Sequence, residues 1–297
     1  MKFAIASTAV IAAAVLSVPA QAKASPEVEI KDAVARVVVI VEDRADVAVE
    51  VTQGNTRLPT LQVRRRGDEI EIDGGLSRRV GITRVSDAIR NCRSGPADAR
   101  QPGDGASVEV RDLGRINVSD APLIIVRSPR DVKVSAGSAV FGAVGRGARS
   151  VELSNGGCGD WVVANTDGAL DLSLGGSGDI RTGTSRSLDA SLGGSGTIRA
   201  GATGNLDLSL GGSGEAWVAA VDGEVDIAIG GSGEVSIPRG RASSFEVAIG
   251  GSGDIDFGGT AGDVSVAIAG SGDIRIAEVT GRVSRSIVGS GNIRIGR

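Results

Sequence analysis

Apolar and polar residues alternate with period two along much of this chain. Leu170-Asp-Leu-Ser-Leu174, Leu188-Asp-Ala-Ser-Leu192 and Leu206-Asp-Leu-Ser-Leu210 carry the pattern, and Val225-Asp-Ile-Ala-Ile229, Phe245-Glu-Val-Ala-Ile249 and Val264-Ser-Val-Ala-Ile268 continue it. Successive side chains of a strand point to opposite faces, so each segment predicts one apolar column in a core and one polar column in water. A glycine corner follows each segment. Gly-Gly-Ser-Gly-Asp and its variants recur with Ser at 177, 195, 213, 232, 252, 271 and 290. Cys158, in Asn155-Gly-Gly-Cys-Gly-Asp160, fills the same slot one repeat earlier, and the steps are 19, 18, 18, 19, 20, 19 and 19. Ser138, after Val134-Ser-Ala-Gly137, reads as a degenerate earlier copy.

Past each corner a second strand begins, as in Asp179-Ile-Arg-Thr, Asp254-Ile-Asp-Phe and Asp273-Ile-Arg-Ile. Its inward residues are Ile180, Ile198, Ala216, Val235, Ile255, Ile274 and Ile293, and a shorter third edge near Ala202, Val221, Ala242 and Val279 returns the chain. Short strands stacked on themselves predict an all-β, single-stranded parallel β-helix, a solenoid of about 19 residues per coil. At ~4.8 Å per coil, eight copies make a rod of about 38 Å. The glycine pair is expected to supply the positive φ of a corner. A flexible Gly-rich linker would lack the Leu and Ile columns. Coils of 19 and 20 break the strict eighteen of left-handed hexapeptide helices, which favours a right-handed form. In Val283-Ser-Arg-Ser-Ile287, Arg285 takes an apolar slot, where a charge fits only an open, water-facing end of the rod.

Regular repeats therefore occupy 131–297. Residues 23–130 alternate without the glycine signature and read as irregular N-terminal β coils, with strands at Val28-Glu-Ile, Arg36-Val-Val-Val-Ile-Val, Val47-Ala-Val-Glu-Val, Leu61-Gln-Val-Arg, Ile70-Glu-Ile, Val108-Glu-Val and Leu123-Ile-Ile-Val. Residues 76–106 hold Arg, Ser, Gly and Pro with little periodicity and read as a surface insertion. Residues 1–22 read as a signal peptide: Lys2, an apolar run from Ala4 to Leu16, and Ala20-Gln21-Ala22 before the cleavage point. The chain is thus expected to be exported, to the periplasm, the extracellular space or the cell surface, with no transmembrane segment after cleavage. An even pair of cysteines in an oxidising compartment suits a disulfide between Cys92 and Cys158, which would pin the insertion to the first glycine coil. Two buried free thiols are the competing reading.

Composition narrows the chemistry. The chain has no His and no Tyr, 2% aromatics and a net charge of -4. Without His there is no Ser-His-Asp or Cys-His catalysis and no His-ligated metal. The acidic balance argues against a nucleic-acid partner, which would call for a basic footprint. Charge is also split: residues 151–297 carry 18 acidic and 10 basic residues.

Three kinds of site are conceivable on such a rod. The corner acids fall one place too early for the calcium-binding nonapeptide, and the column Asp160, Asp179, Thr197, Glu215, Glu234, Asp254, Asp273, Asn292 is interrupted by Thr and Asn. No metal or other cofactor is expected. A polysaccharide-active enzyme, the alternative function, needs a unique acid cluster, whereas the Asp179/Arg181 and Asp273/Arg275 pairs simply repeat. No catalytic residue is assigned. An outward column of Asp171, Asp189, Asp207, Asp226 and Glu246 runs beside Ser173, Ser191, Ser209, Ala228 and Ala248, a flat acidic face that suits a partner or an extended glycan. Phe141, Trp161, Phe245 and Phe257 fall in inward columns, while Trp217 aligns with the outward Arg181 and Arg199 and joins the candidate binding residues.

The repeated L-x-[LVI]-[SA]-[LI]-x-G-S-G-[DE]-[IV] behind a signal peptide resembles the head GIN domain family, named for auto-transporter adhesins. The resemblance is strong over 131–297 and weaker over 28–130. It implies a right-handed parallel β-helix in exported bacterial proteins, and it brings no catalytic residues. A true auto-transporter carries an aromatic-girdled membrane barrel after its passenger, and no such barrel is expected in this chain, whose repeats run to Arg297. The expectation is a non-catalytic, adhesin-like binding or scaffolding module whose partner is an envelope or extracellular glycan or protein.

Overall fold

A computed structural model describes residues 26–80, 83–85, 87–96 and 98–296. The expected signal peptide, 1–22, lies outside these residues. The chain forms a parallel β-solenoid of about nine turns with ~19 residues per coil. Each regular coil lays one strand on a first face, turns at the glycine corner, lays a second strand on a second face and returns by a short third edge. On the first face Ala169–Leu174 pairs in parallel with Ser187–Leu192, which pairs with Asn205–Leu210. On the second face Asp179–Thr182 pairs with Thr197–Thr203.

Inward columns fill the rod. Leu170, Leu188 and Leu206 stack in register and are buried, as are Ile180 and Ile198 across the core. Phe245 and Phe257 stack with centroids 5.0 Å apart, one from each face. Asn155 occupies an inward slot taken by Leu174 in the next coil. Its amide is satisfied by the corner itself: Nδ2 donates to the Gly159 carbonyl at 2.7 Å, and Oδ1 accepts from the Gly157 N–H at 3.3 Å.

The glycine corners work differently from expectation. None of the repeated Gly-Gly pairs lies in the left-handed region. The second glycine is needed because coils stack too closely there. A Cβ on Gly194 would collide with the carbonyl oxygen of Gly176 in the coil before, whereas one on Gly193 would meet nothing within 4 Å. Steric contact between coils fixes the glycine column, and backbone handedness adds to it at the last member, Gly289, with φ of 129°.

The N-terminal end is not stacked in sequence order. Glu27–Lys31 pairs on one side with Asp131–Ala136 and on the other with Glu69–Asp73. Val34–Val41 likewise lies between Leu123–Ser128 and Ala139–Val144. The first strands in the chain thus form the second rung, and the chain doubles back to build the rung beyond them. Antiparallel strands close that end: Gln62–Arg66 on Glu69–Asp73, and Ala48–Thr52 on Leu123–Ser128. Arg64, Arg65 and Arg66 are exposed on this edge, the kind of charge that blocks strand addition.

The strand Ser107–Val110, expected in an early coil, belongs instead to a separate antiparallel sheet with Ile89–Arg93 and Gly114–Asn117. This sheet has its own small core. Phe141, expected inside the rod, points outward from it and is buried under Val108 and Val118 of this lobe. Both readings failed for one reason: alternation identifies the two sides of a strand but not which side the rod's core occupies.

Candidate functional site

Register pairing builds the acidic column step by step. Glu152 stands beside Asp171, Asp171 beside Asp189, Asp189 beside Asp207, Asp207 beside Asp226, and Asp226 beside Glu246. Six exposed carboxylates therefore face water in one line, over about 24 Å at the ~4.8 Å spacing of paired strands. Ser173, Ser191, Ser209, Ala228 and Ala248 form the parallel line beside them. A depression of about 520 Å³ follows the column and is lined in part by Asp189, Asp207, Glu224, Asp226 and Glu246.

One end of the column is neutralised. Lys133 sits one step before Glu152 and ion-pairs with it at 2.8 Å, and with Glu27 at 3.5 Å. Among the described residues no ion pair reaches Asp171, Asp189, Asp207, Asp226 or Glu246. Partial burial pushes the Asp171 carboxyl above its ordinary range, and the charges of Asp189 and Glu152 push the same way against Lys133. Asp207 is raised by burial and then by Asp189 and Asp226. At both positions burial is the larger cause and the neighbouring carboxylates add to it.

Trp217 does not join this face. It opens the long strand Glu215–Ile229 on the second face, in register with Arg199 and Ser236, and a glycine corner separates it from Asp207. Its side chain is 40% exposed. Two of the acids at the corner exits have a structural task. The Asp160 carboxylate accepts the N–H of Asp179 at 3.0 Å, and Asp254 accepts that of Asp273 at 2.8 Å, so each ties its coil to the next. Among the described residues no three Cys, Asp or Glu side chains converge as a cation site.

The disulfide joins Cys92 to Cys158 with Cα atoms 6.2 Å apart. It fastens the antiparallel lobe to the first glycine corner. Beside it lies a cleft of about 140 Å³ between the 95–104 loop and Asp160, Val162 and Arg181. Burial raises the Asp160 carboxyl, which also accepts a hydrogen bond from the Ser94 hydroxyl at 3.2 Å. Sequence alone hides this cleft, because it exists only once the lobe folds over the rod. Glu152 was equally missed as a member of the acidic line, although Val151-Glu-Leu-Ser-Asn155 carries the same alternation.

Fold and surface together define a rigid parallel β-solenoid that displays one outward feature many times. Residues 202–296 match the model of the family described as "Putative auto-transporter adhesin, head GIN domain". The matched stretch holds the glycine corners from Ser213 to Ser290. Among curated proteins none matches the chain. No helix among the described residues is long and apolar enough to cross a membrane.

Proposed function

We propose that this chain is an exported, non-catalytic, adhesin-like binding module of the bacterial envelope, working in the periplasm or at the cell surface. It acts by repeated contact along the acidic first face, so that several weak contacts reinforce one another on a rigid frame. Its partner is an envelope or extracellular glycan, or a protein, that offers hydroxyl donors or cations at a spacing matching the coils.

One observation carries this reading. The column that holds six carboxylates also accepts Lys133 before them and Ser265 and Ser284 after them. The solenoid therefore has no need of acid at these positions, and like charges directly opposite one another cost stability. A run that opposes folding and is not required by it is best explained by what it binds.

The test is retention of the purified chain on a panel of envelope and extracellular polysaccharides, and on envelope-protein extract. Charge reversal of Asp171, Asp189 and Asp207 to Lys is expected to abolish retention without unfolding the rod. Retention of the triple variant at the wild-type level would refute the acidic face. New reducing ends in the same polysaccharide samples would replace the binding role with a polysaccharide-active enzyme.

A further inference from the structure

On the second face, three successive coils contribute two outward residues each to a small grid. Thr197, Glu215 and Glu234 stand in register in one column, and Arg199, Trp217 and Ser236 in the next. Together with Ala216 they line a hollow of about 370 Å³, at the lower end of the ~300–1,000 Å³ range of ligand pockets. The hollow arises because the large indole is followed, one coil on, by a small serine. Two residues beyond Arg199 and Trp217 stand Gly201 and Ala219, so the flank of the column is low at this level as well.

The polar groups here are uncommitted. Arg181 and Arg275, elsewhere in the same column, lie near Asp179 at 3.7 Å and Asp256 at 3.8 Å. Arg199 has no such partner, and among the described residues none of the Thr197, Arg199, Glu215, Glu234 or Ser236 side chains makes a hydrogen bond or ion pair. An exposed indole offers a large, stiff apolar surface at small entropic cost. Around it are two carboxylate acceptors, one guanidinium donor and two hydroxyls that both donate and accept.

We infer that this hollow binds an uncharged pyranose ring of a polysaccharide, with the apolar face of the sugar on Trp217 and its hydroxyls shared among Arg199, Glu215 and Glu234. Two carboxylates against one guanidinium disfavour a uronate, and a purely apolar ligand would leave these charged groups desolvated without partners. The inference rests on the reading of this chain as a binding module but not on the acidic face, which lies around a corner of the rod.

The experiment is native electrophoresis of the full chain in gels cast with dextran, hydroxyethyl cellulose, mannan or polygalacturonate, with polymer-free gels as reference. At least one of the three uncharged polymers is expected to slow the chain, and polygalacturonate to have no effect through this site. Trp217→Ala should weaken that retardation at least tenfold. Ser236→Gln, which fills the hollow and leaves the indole in place, should do likewise. Arg275→Gln, in the same column but outside the hollow, should be slowed as the wild type is, and Asp171→Asn/Asp189→Asn/Asp207→Asn reads the acidic face separately. Circular dichroism would check that each variant is folded. Undiminished retardation of both hollow variants, or unchanged migration in all three uncharged polymers, would overturn the assignment. If the triple variant alone lost retardation, the sugar site would lie on the acidic face, which overturns this inference while supporting the proposed function.

Discussion

The first face carries charge in two opposite ways. Toward the N-terminal end, Lys133 sits between Glu27 and Glu152, and Glu71 is enclosed by Lys31 at 2.9 Å, Arg66 at 3.3 Å and Arg64 at 3.5 Å. From Asp171 to Asp226 each carboxylate stacks only on others. Inward apolar columns are alike in both stretches, although the N-terminal rungs are not stacked in sequence order. The contrast shows that backbone and core fix where an outward side chain stands, and leave its charge open. It also separates the molecule into an end secured by ion pairs, antiparallel strands and a disulfide, and a body held chiefly by stacking, with single ties between coils such as Arg282 to Asp263 at 3.0 Å.

The largest expected effect breaks the secured end. Replacing Cys92 and Cys158 by Ser removes a cross-link between residues 66 apart, worth about 4 kcal/mol on the chain-entropy scale. Hydrogen exchange should rise first in the lobe of Ile89–Asn117, while strands from Ala169 onward keep their protection. Equal loss of protection along the rod would show that the two regions are not separable.

In the body, stacking is the vulnerable feature. Gly194→Ala pushes a methyl into the Gly176 carbonyl and is expected to cost about 3 kcal/mol. Gly193→Ala, with open space around its Cβ, should stay within about 0.5 kcal/mol of wild type. Urea unfolding of the two variants checks this directly, and similar losses at both sites would restore a positive-φ explanation of the corner.

A smaller effect is the response to pH. Asp171 and Asp207 titrate above their ordinary value of 3.8, so between that value and their raised folded value the folded state holds more protons. Their contribution is complete below 3.8 and is lost as pH rises through the raised value. Asp131 behaves oppositely. The Arg149 guanidinium holds it below 3.8, so its contribution is present above that value and is lost as pH falls through the lowered one. Melting curves between neutral pH and about pH 4 should show Asp171→Asn losing part of the gain on mild acidification, and Asp131→Asn leaving that gain intact.

Much of this architecture is legible in the sequence because it repeats. Leu170, Leu188 and Leu206 sit in equivalent places, and a period near nineteen leaves few folds in which all three reach one core. The disulfide was readable from an even cysteine count. The order of the first rungs was not, since alternation in Glu27–Lys31 and Glu69–Asp73 is the same whichever strand lies outermost. Phe141 was misplaced because an outward residue covered by a later lobe looks, in sequence, like an inward one. Trp217 and the aspartates are both candidate binding residues by their outward alternation, and a corner separates them because strands of different faces share the same period.

The most direct measurement joins stability and binding in one variant, Asp171→Asn/Asp189→Asn/Asp207→Asn. If the acidic run serves a partner at the expense of the fold, the melting temperature rises by on the order of 2–4 °C as like charges are removed, and retention on the bound envelope ligand is lost. A lower melting temperature, or undiminished retention, would contradict the claim and return these carboxylates to the role of ordinary solvated surface.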